Sequence, residues 1–204
     1  MSAREKILAC TQELFFKYGI HSVTMDDIAK HMGISKKTIY RSFKDKDEVV
    51  HTLIEEKLKQ DKMICTHIIK GSSNVVEEVF SLMKQLSRMM GQVNVNIFRD
   101  LQKYHPNSWA LFQKFKEDFI LKSVEDTLKR GIKQSYIRPD VNPKILARLR
   151  MEEIVMGFNS DIFPENKFNF LEVQISLMEH FLYGICTLKG HKLINKYKQI
   201  VEEE

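Results

Sequence analysis

Between Thr24 and Lys46 the chain carries Thr24, Lys36, Lys37, Tyr40, Arg41 and Lys46, side chains that end in hydroxyl, phenol, ammonium or guanidinium groups. What these groups share is the ability to donate hydrogen bonds to the oxygens of an anion. Residues 30–46 hold six Lys/Arg and one acid, Asp45, and residues 1–46 hold nine Lys/Arg against five acids. The remaining 158 residues carry 23 against 22, so the net charge of +5 is concentrated near the amino end. Such asymmetry points to a polyanionic partner, with a solvated helix face as the plainer alternative.

Reaction chemistry has no comparable address. No phosphate-binding loop, G-x-S-x-G turn, H-E-x-x-H pair or dinucleotide fingerprint occurs, so neither an enzyme nor a bound cofactor is expected. His51 and Glu55 lie four apart on one helical face, but two metal ligands without a third read as a surface pair. Cys10, Cys65 and Cys186 are odd in number and far apart, which suggests neither a disulfide framework nor a zinc site and fits a reducing cytosol. The opening MSAREKILACTQ is no signal peptide, and no apolar run approaches the roughly 20 residues that span a bilayer. A cytoplasmic protein with no membrane partner is expected.

The elements that must position the cationic stretch are helices. Four prolines and eight glycines in 204 residues are too few for an all-β chain, and Leu, Ile, Lys, Glu, Met and Phe recur in helix-forming mixtures. Ser2 and Glu5 form a capping box for a first helix lined by Ile7, Thr11, Leu14 and Tyr18, which Gly19 closes as a left-handed residue. Thr24 caps a short second helix, with Asp26 and Asp27 where the helix dipole favours negative charge. Gly33 then makes a corner that needs positive φ, and Ala29 is small where the next helix crosses. Ser35 caps that helix, expected over Lys36–Phe43, with Ile39 and Phe43 inward and Lys36, Lys37, Tyr40 and Arg41 outward. Asp45 and Glu48 cap a long helix toward Ile69, shared by both parts of the chain. After the break Lys70–Asn74, helices are expected at about 75–90, 94–103, 107–131, 143–160 and 168–189.

These residues resemble the N-terminal helix-turn-helix DNA-binding domain of the tetracycline-repressor (TetR) family of bacterial transcriptional regulators. The resemblance is carried by Leu14-Phe15, Gly19, Thr24 and DDIAKHMGISKKTIYRSFKDK, with a weaker echo in GIKQSYIRPDVNP, residues 131–143. It implies an all-α fold: a three-helix DNA-binding domain over residues 1–47, and a larger helical effector-binding and dimerisation domain over residues 48–204. It adds Ser35 and Thr38 to the DNA-binding residues. Lys36, Lys37 and Arg41 can pair with guanine acceptors in the major groove, while Thr24, Tyr40 and Lys46 would meet phosphates. Lys37 departs from the small residue common at that point in the family, so the base sequence read is open.

The resemblance also implies a homodimer on a double-stranded operator, released by a small-molecule inducer. For a pocket holding a small apolar effector the candidates are Met89, Met90, Phe98, Trp109, Phe112, Phe115, Phe119 and Met156, adaptable side chains that each read singly as core. For the dimer interface they are Met151, Ile154, Phe158, Ile175, Met178 and Leu182, again with core as the alternative. A protein of the same architecture that answers to a protein partner, or organises DNA without an inducer, is the other reading.

Overall fold

A computed structural model describes residues 2–90, 96–164 and 166–200. They form α1 (Ala3–Tyr18), α2 (Met25–Met32), α3 (Lys36–Tyr40), α4 (Lys46–Gly71), α5 (Val75–Met90), α6 (Asn96–Tyr104) and α7 (Pro106–Phe115). A six-residue π turn, Lys116–Leu121, leads into α8 (Lys122–Lys133), followed by α9 (Pro143–Met156), α10 (Phe170–Ile185) and α11 (Leu188–Lys198). The fold is all-α, and the one β element among the described residues is an isolated bridge between Ile137 and Cys186. No described helix is long and apolar enough to cross a membrane.

By compactness the chain divides into two units, each discontinuous in sequence: Met1–Asp61 with Met89–Phe115, and Lys62–Arg88 with Lys116–Glu204. This differs from a division at residues 47 and 48, because α6 supplies Ile97 and Leu101 to the core of the first unit. That core is built on Ile7, Leu8 and Phe15 of α1, Ile28 and Ala29 of α2, Ile39, Phe43, and Val49 and Val50 of α4, with Trp109 packed against it. Each large apolar side chain removed from water there contributes about 1.5–3 kcal/mol. The second unit packs Val75, Val76, Leu128, Ile137, Ala147, Phe181, Leu182, Ile185 and Ile194.

Several helix ends depart from the sequence expectation. The Ser2–Glu5 box forms, and Gly19 has the expected positive φ of 82°, but its ψ of 158° is extended and not left-handed helical. Glycine is favoured in either region. Helix α9 stops at Met156, where Phe158 and Asn159 donate back three residues and tighten the turn. The expected helix over 168–189 is two: α10 ends at extended Cys186, and the Thr187 hydroxyl accepts the Gly190 N–H at 3.2 Å to open α11. Residues 94–95 of the helix expected at 94–103 lie outside the described residues.

Candidate nucleic-acid interface

Helices α2 and α3 meet at Gly33, with φ 65° and ψ 30°. Its N–H donates to the carbonyls of Ala29 and Lys30, and the Ile34 N–H to Ala29 at 3.0 Å. A Cβ added at Gly33 would meet nothing within 4 Å, so the left-handed backbone angle alone is what favours glycine here. Ile39 is fully buried beneath the corner. Helix α3 is shorter than expected, ending at Tyr40. The N–H groups of Ser42 and Phe43 both donate to the Ile39 carbonyl, at 2.9 and 3.0 Å, and the resulting turn sends Phe43 into the core.

The outward side of α3 presents exposed Lys36, Lys37, Tyr40 and Arg41, with Tyr40 50% exposed. Lys36 pairs with Asp26 at 2.9 Å, and both side chains are about half exposed, a pairing worth at most about 1 kcal/mol and readily given up to another anion. The Ser35 hydroxyl accepts the Thr38 N–H at 3.2 Å and lies 2.9 Å from the Thr38 hydroxyl, so these two cap the helix that carries the cations.

Thr24 and Lys46 are placed differently from free phosphate ligands. The Thr24 hydroxyl donates to the Asp27 carboxylate at 2.6 Å and accepts the Asp27 N–H at 3.2 Å, while the same carboxylate accepts the Thr24 N–H at 2.9 Å. That hydroxyl, then the Thr24 amide, holds the Asp27 carboxyl below the usual carboxylate range. The Lys46 ammonium is half-buried and donates to the His21 carbonyl at 3.4 Å, tying the loop before α2 to the start of α4. Burial pulls its pKa below the ordinary lysine value, opposed by Asp100, Asp47 and Asp27. An ammonium has three donors, which leaves two for an incoming phosphate.

Sequence reasoning missed the residues that brace this surface from a distance. The Arg4 guanidinium sits 4.2 Å over the Phe43 ring and donates to the Ser42 carbonyl at 2.6 Å, so α1 clamps the turn after α3. It also reaches Glu48 at 3.4 Å and Thr52 at 3.3 Å. The Glu48 carboxylate accepts the Lys44 N–H at 2.7 Å, and the Asp45 carboxylate accepts the Glu48 N–H at 2.9 Å. No local spacing could reveal a partner 38 residues away.

Residues 7–53, the segment holding α1, α2, α3 and the start of α4, match the family model for bacterial regulatory proteins of the tetR family. The chain belongs to the TetR family. It is 29% identical over 183 residues to the HTH-type transcriptional regulator YvaF of Bacillus subtilis (strain 168), an alignment that covers 89% of this chain and 94% of YvaF. It is 24% identical over 185 residues to the fatty acid metabolism regulator protein of the same organism, over 88% and 94% of the two chains. The fold superimposes on a TetR-family regulator from Agrobacterium tumefaciens with a TM-score of 0.74 at 15% identity, covering 91% of this chain and 98% of that one. It does so on the ketosteroid regulator KstR2 of Mycobacterium tuberculosis with a TM-score of 0.61 at 21% identity, over 91% and 96%. This TetR-family chain is a DNA-binding transcriptional regulator, and the relatives it matches are regulators too.

The expected effector residues are divided between the two units. Phe98, Trp109 and Phe112 pack on one another in the first unit, with Phe112 centroids 5.3 Å from Phe98 and 5.2 Å from Trp109. Met89 and Phe115 belong to that unit also, whereas Phe119, 5.5 Å from the Lys62 ammonium, and Met156 belong to the second. The Met90 side chain lies outside the described residues. Of the expected interface residues, Met151 and Leu182 are buried within their own unit, while Ile154, Phe158, Ile175 and Met178 are half-buried. The exposed apolar positions of α9 are Ile145, 64% exposed, and Leu149, 49% exposed. With Met156 they follow helical spacing on one side of α9, a signal readable in the sequence but passed over for the inward stripe.

Proposed function

We propose that this TetR-family chain is a homodimeric repressor whose two α3 helices enter successive major grooves of a palindromic operator, with release triggered by a small molecule bound outside the DNA-binding helices. The observation that carries the reading is the pairing, in one short helix, of a fully buried Ile39 with exposed Lys37, Tyr40 and Arg41. Lys37 and Arg41 supply base contacts, Tyr40 and the spare Lys46 donors supply phosphate contacts, and Lys36 exchanges Asp26 for the duplex. Ser35, Thr38 and Thr24 act through the caps that hold the helices in place.

Self-association is assigned to α9 and α10, sequence-adjacent helices of one unit that carry exposed Ile145 and Leu149 on α9 and half-buried Ile175 and Met178 on α10. Two heads must meet half-sites about 34–36 Å apart, so an effector acts by favouring a different separation. The protein works by binding, in the cytoplasm, without turnover. Selection of duplexes from a random pool, followed by sedimentation of the bound species, tests this: a palindromic consensus carried by an even number of chains is expected, and a monomer with no sequence preference would refute it.

A second reading, control by a protein partner with no small molecule, is favoured by one observation. Phe112 packs against both Phe98 and Trp109, contacts that an apolar effector among these rings would have to displace. A metabolite screen scored by operator release separates the two readings.

A further inference from the structure

The second half of α4 and the helix after it carry a charge pattern that the DNA surface does not use. Lys62 and Lys70 stand eight residues apart on one side of α4, and Lys84 and Arg88 stand four apart on α5. No Asp or Glu lies three or four residues from any of these four cations. Elsewhere the chain routinely provides one: Lys57 with Asp61, Lys59 with Glu55 at 2.9 Å, Lys122 with Asp118 at 3.7 Å and Lys129 with Glu125 at 2.7 Å. Like charges at i and i+4 destabilise a helix by a few tenths of a kcal/mol, so the Lys84–Arg88 placement is unfavourable by itself.

These cations border an open groove of about 930 Å³ that lies wholly within the second unit. Among the described residues its walls contain no carboxylate, and its apolar surface comes from Met63, Ile64 and Ile68. Met63 is 73% exposed there, and among the described residues no ion pair engages Lys62, Lys70, Lys84 or Arg88. The volume is that of a site for a small organic ligand. Clustered cations around apolar side chains complement one kind of molecule, a charged head of negative sign on a hydrocarbon body.

We propose that the groove between α4 and α5 binds a single-chain amphipathic anion, a carboxylate or phosphate monoester on an aliphatic tail. The ammonium and guanidinium groups receive the head, and Met63, Ile64 and Ile68 cover the tail. A dianionic phosphate draws on more of the cations than a carboxylate does, so it binds more tightly and with steeper salt dependence. This proposal rests on the ligand-responsive reading only for its consequence, that occupancy signals to the operator; the site itself does not depend on it.

The test is calorimetric titration of the full chain with dodecyl phosphate and dodecanoate below their micelle concentrations, beside dodecanol, dodecyltrimethylammonium and inorganic phosphate. Saturable binding of the two anionic amphiphiles alone is expected. Lys84→Gln with Arg88→Gln should weaken it roughly ten-fold or more, since hydrogen bonds to charged groups are lost. Met63→Glu, which sets a like charge against the head and a polar group against the tail, should weaken it as well. Unchanged melting and unchanged duplex affinity of both variants show that the fold is intact. Equal binding of dodecanol, equal binding of inorganic phosphate, or indifference to all three substitutions overturns the proposal. Capture by phosphatidylglycerol vesicles with no binding of monomeric amphiphile overturns it too, in favour of a membrane surface. Binding without operator release leaves the site standing and removes its effector role, whereas failure to bind any duplex refutes the regulator reading and leaves the groove untouched.

Discussion

The Asp100 carboxylate accepts the backbone N–H of His21 at 2.7 Å, joining α6 to the loop that precedes α2 across 79 residues of sequence. The same carboxylate favours the charged form of Lys46, whose ammonium donates to the carbonyl of that same His21. The His21 ring stacks on Tyr104, also of α6, with centroids 4.2 Å apart. Asp47 at the start of α4 meets buried His105 at 2.6 Å. The entry to the DNA-binding helices is therefore held by groups from far along the chain. Asp100→Asn should cost about 1.5–3 kcal/mol, the range for a hydrogen bond to a charged group, read from the urea midpoint at constant slope. A change below about 0.5 kcal/mol would mean that the contact does not hold the loop.

Asp27 gives the DNA-binding unit a defined acid response. Its carboxyl titrates below the ordinary aspartate value in the folded chain because the Thr24 hydroxyl and amide bond its charged form. The stabilisation is present above the unfolded-state value, roughly pH 4, and fades as pH falls through the lower folded value. Acid loss of α2 helicity should accordingly shift in Asp27→Asn, monitored by the Asp27 carbon resonance in the parent and by helix amide shifts in both. An Asp27 titration at the ordinary value would contradict the box.

Gly33 separates backbone strain from steric conflict. Since a Cβ there meets open space, Gly33→Asn should be tolerated, Gly33→Ala should cost about 1–2 kcal/mol, and β-branched Gly33→Val more. Loss of duplex binding should follow the same order. Equal effects of asparagine and valine would place the constraint elsewhere.

Two glycines of the second unit are limited by space instead. A Cβ at Gly131 would fall 2.3 Å from the Ile137 side-chain end, which can rotate away, whereas at Gly190 it would fall 2.4 Å from the backbone carbonyl of Tyr136, which cannot. Gly190→Ala should therefore destabilise more than Gly131→Ala, by about 1–3 kcal/mol of overpacking, in thermal unfolding. The reverse order would show that the Ile137–Cys186 bridge region yields more easily than the side-chain packing.

What the sequence made legible was what local chemistry controls. Caps at Ser2, Thr24, Ser35, Asn142 and the corner at Gly33 are set by residues within four positions, and each forms. The inward face of α3, Ile39 and Phe43, follows from periodicity, although Phe43 reaches the core through a turn and not from a helix. Contacts of long sequence separation left no such trace: Arg4 over Phe43, Asp100 on His21, and the recruitment of Ile97 and Leu101 to the first unit. Apolar side chains also carry no label for their destination. Met151 and Ile145 are both apolar residues of α9, yet one is 1% exposed and the other 64%.

In the proposed complex α3 reads base sequence while Lys46 holds phosphate. Fluorescence anisotropy on the selected operator and a scrambled duplex, across a salt series, measures both at once. Lys37→Ala and Arg41→Ala should each narrow the gap between the two duplexes by about 1–3 kcal/mol, and Lys46→Ala should weaken both alike and flatten the salt slope by about one. Were the three variants to bind both duplexes as the parent does, with the same slope, α3 and Lys46 would not form the surface that meets DNA.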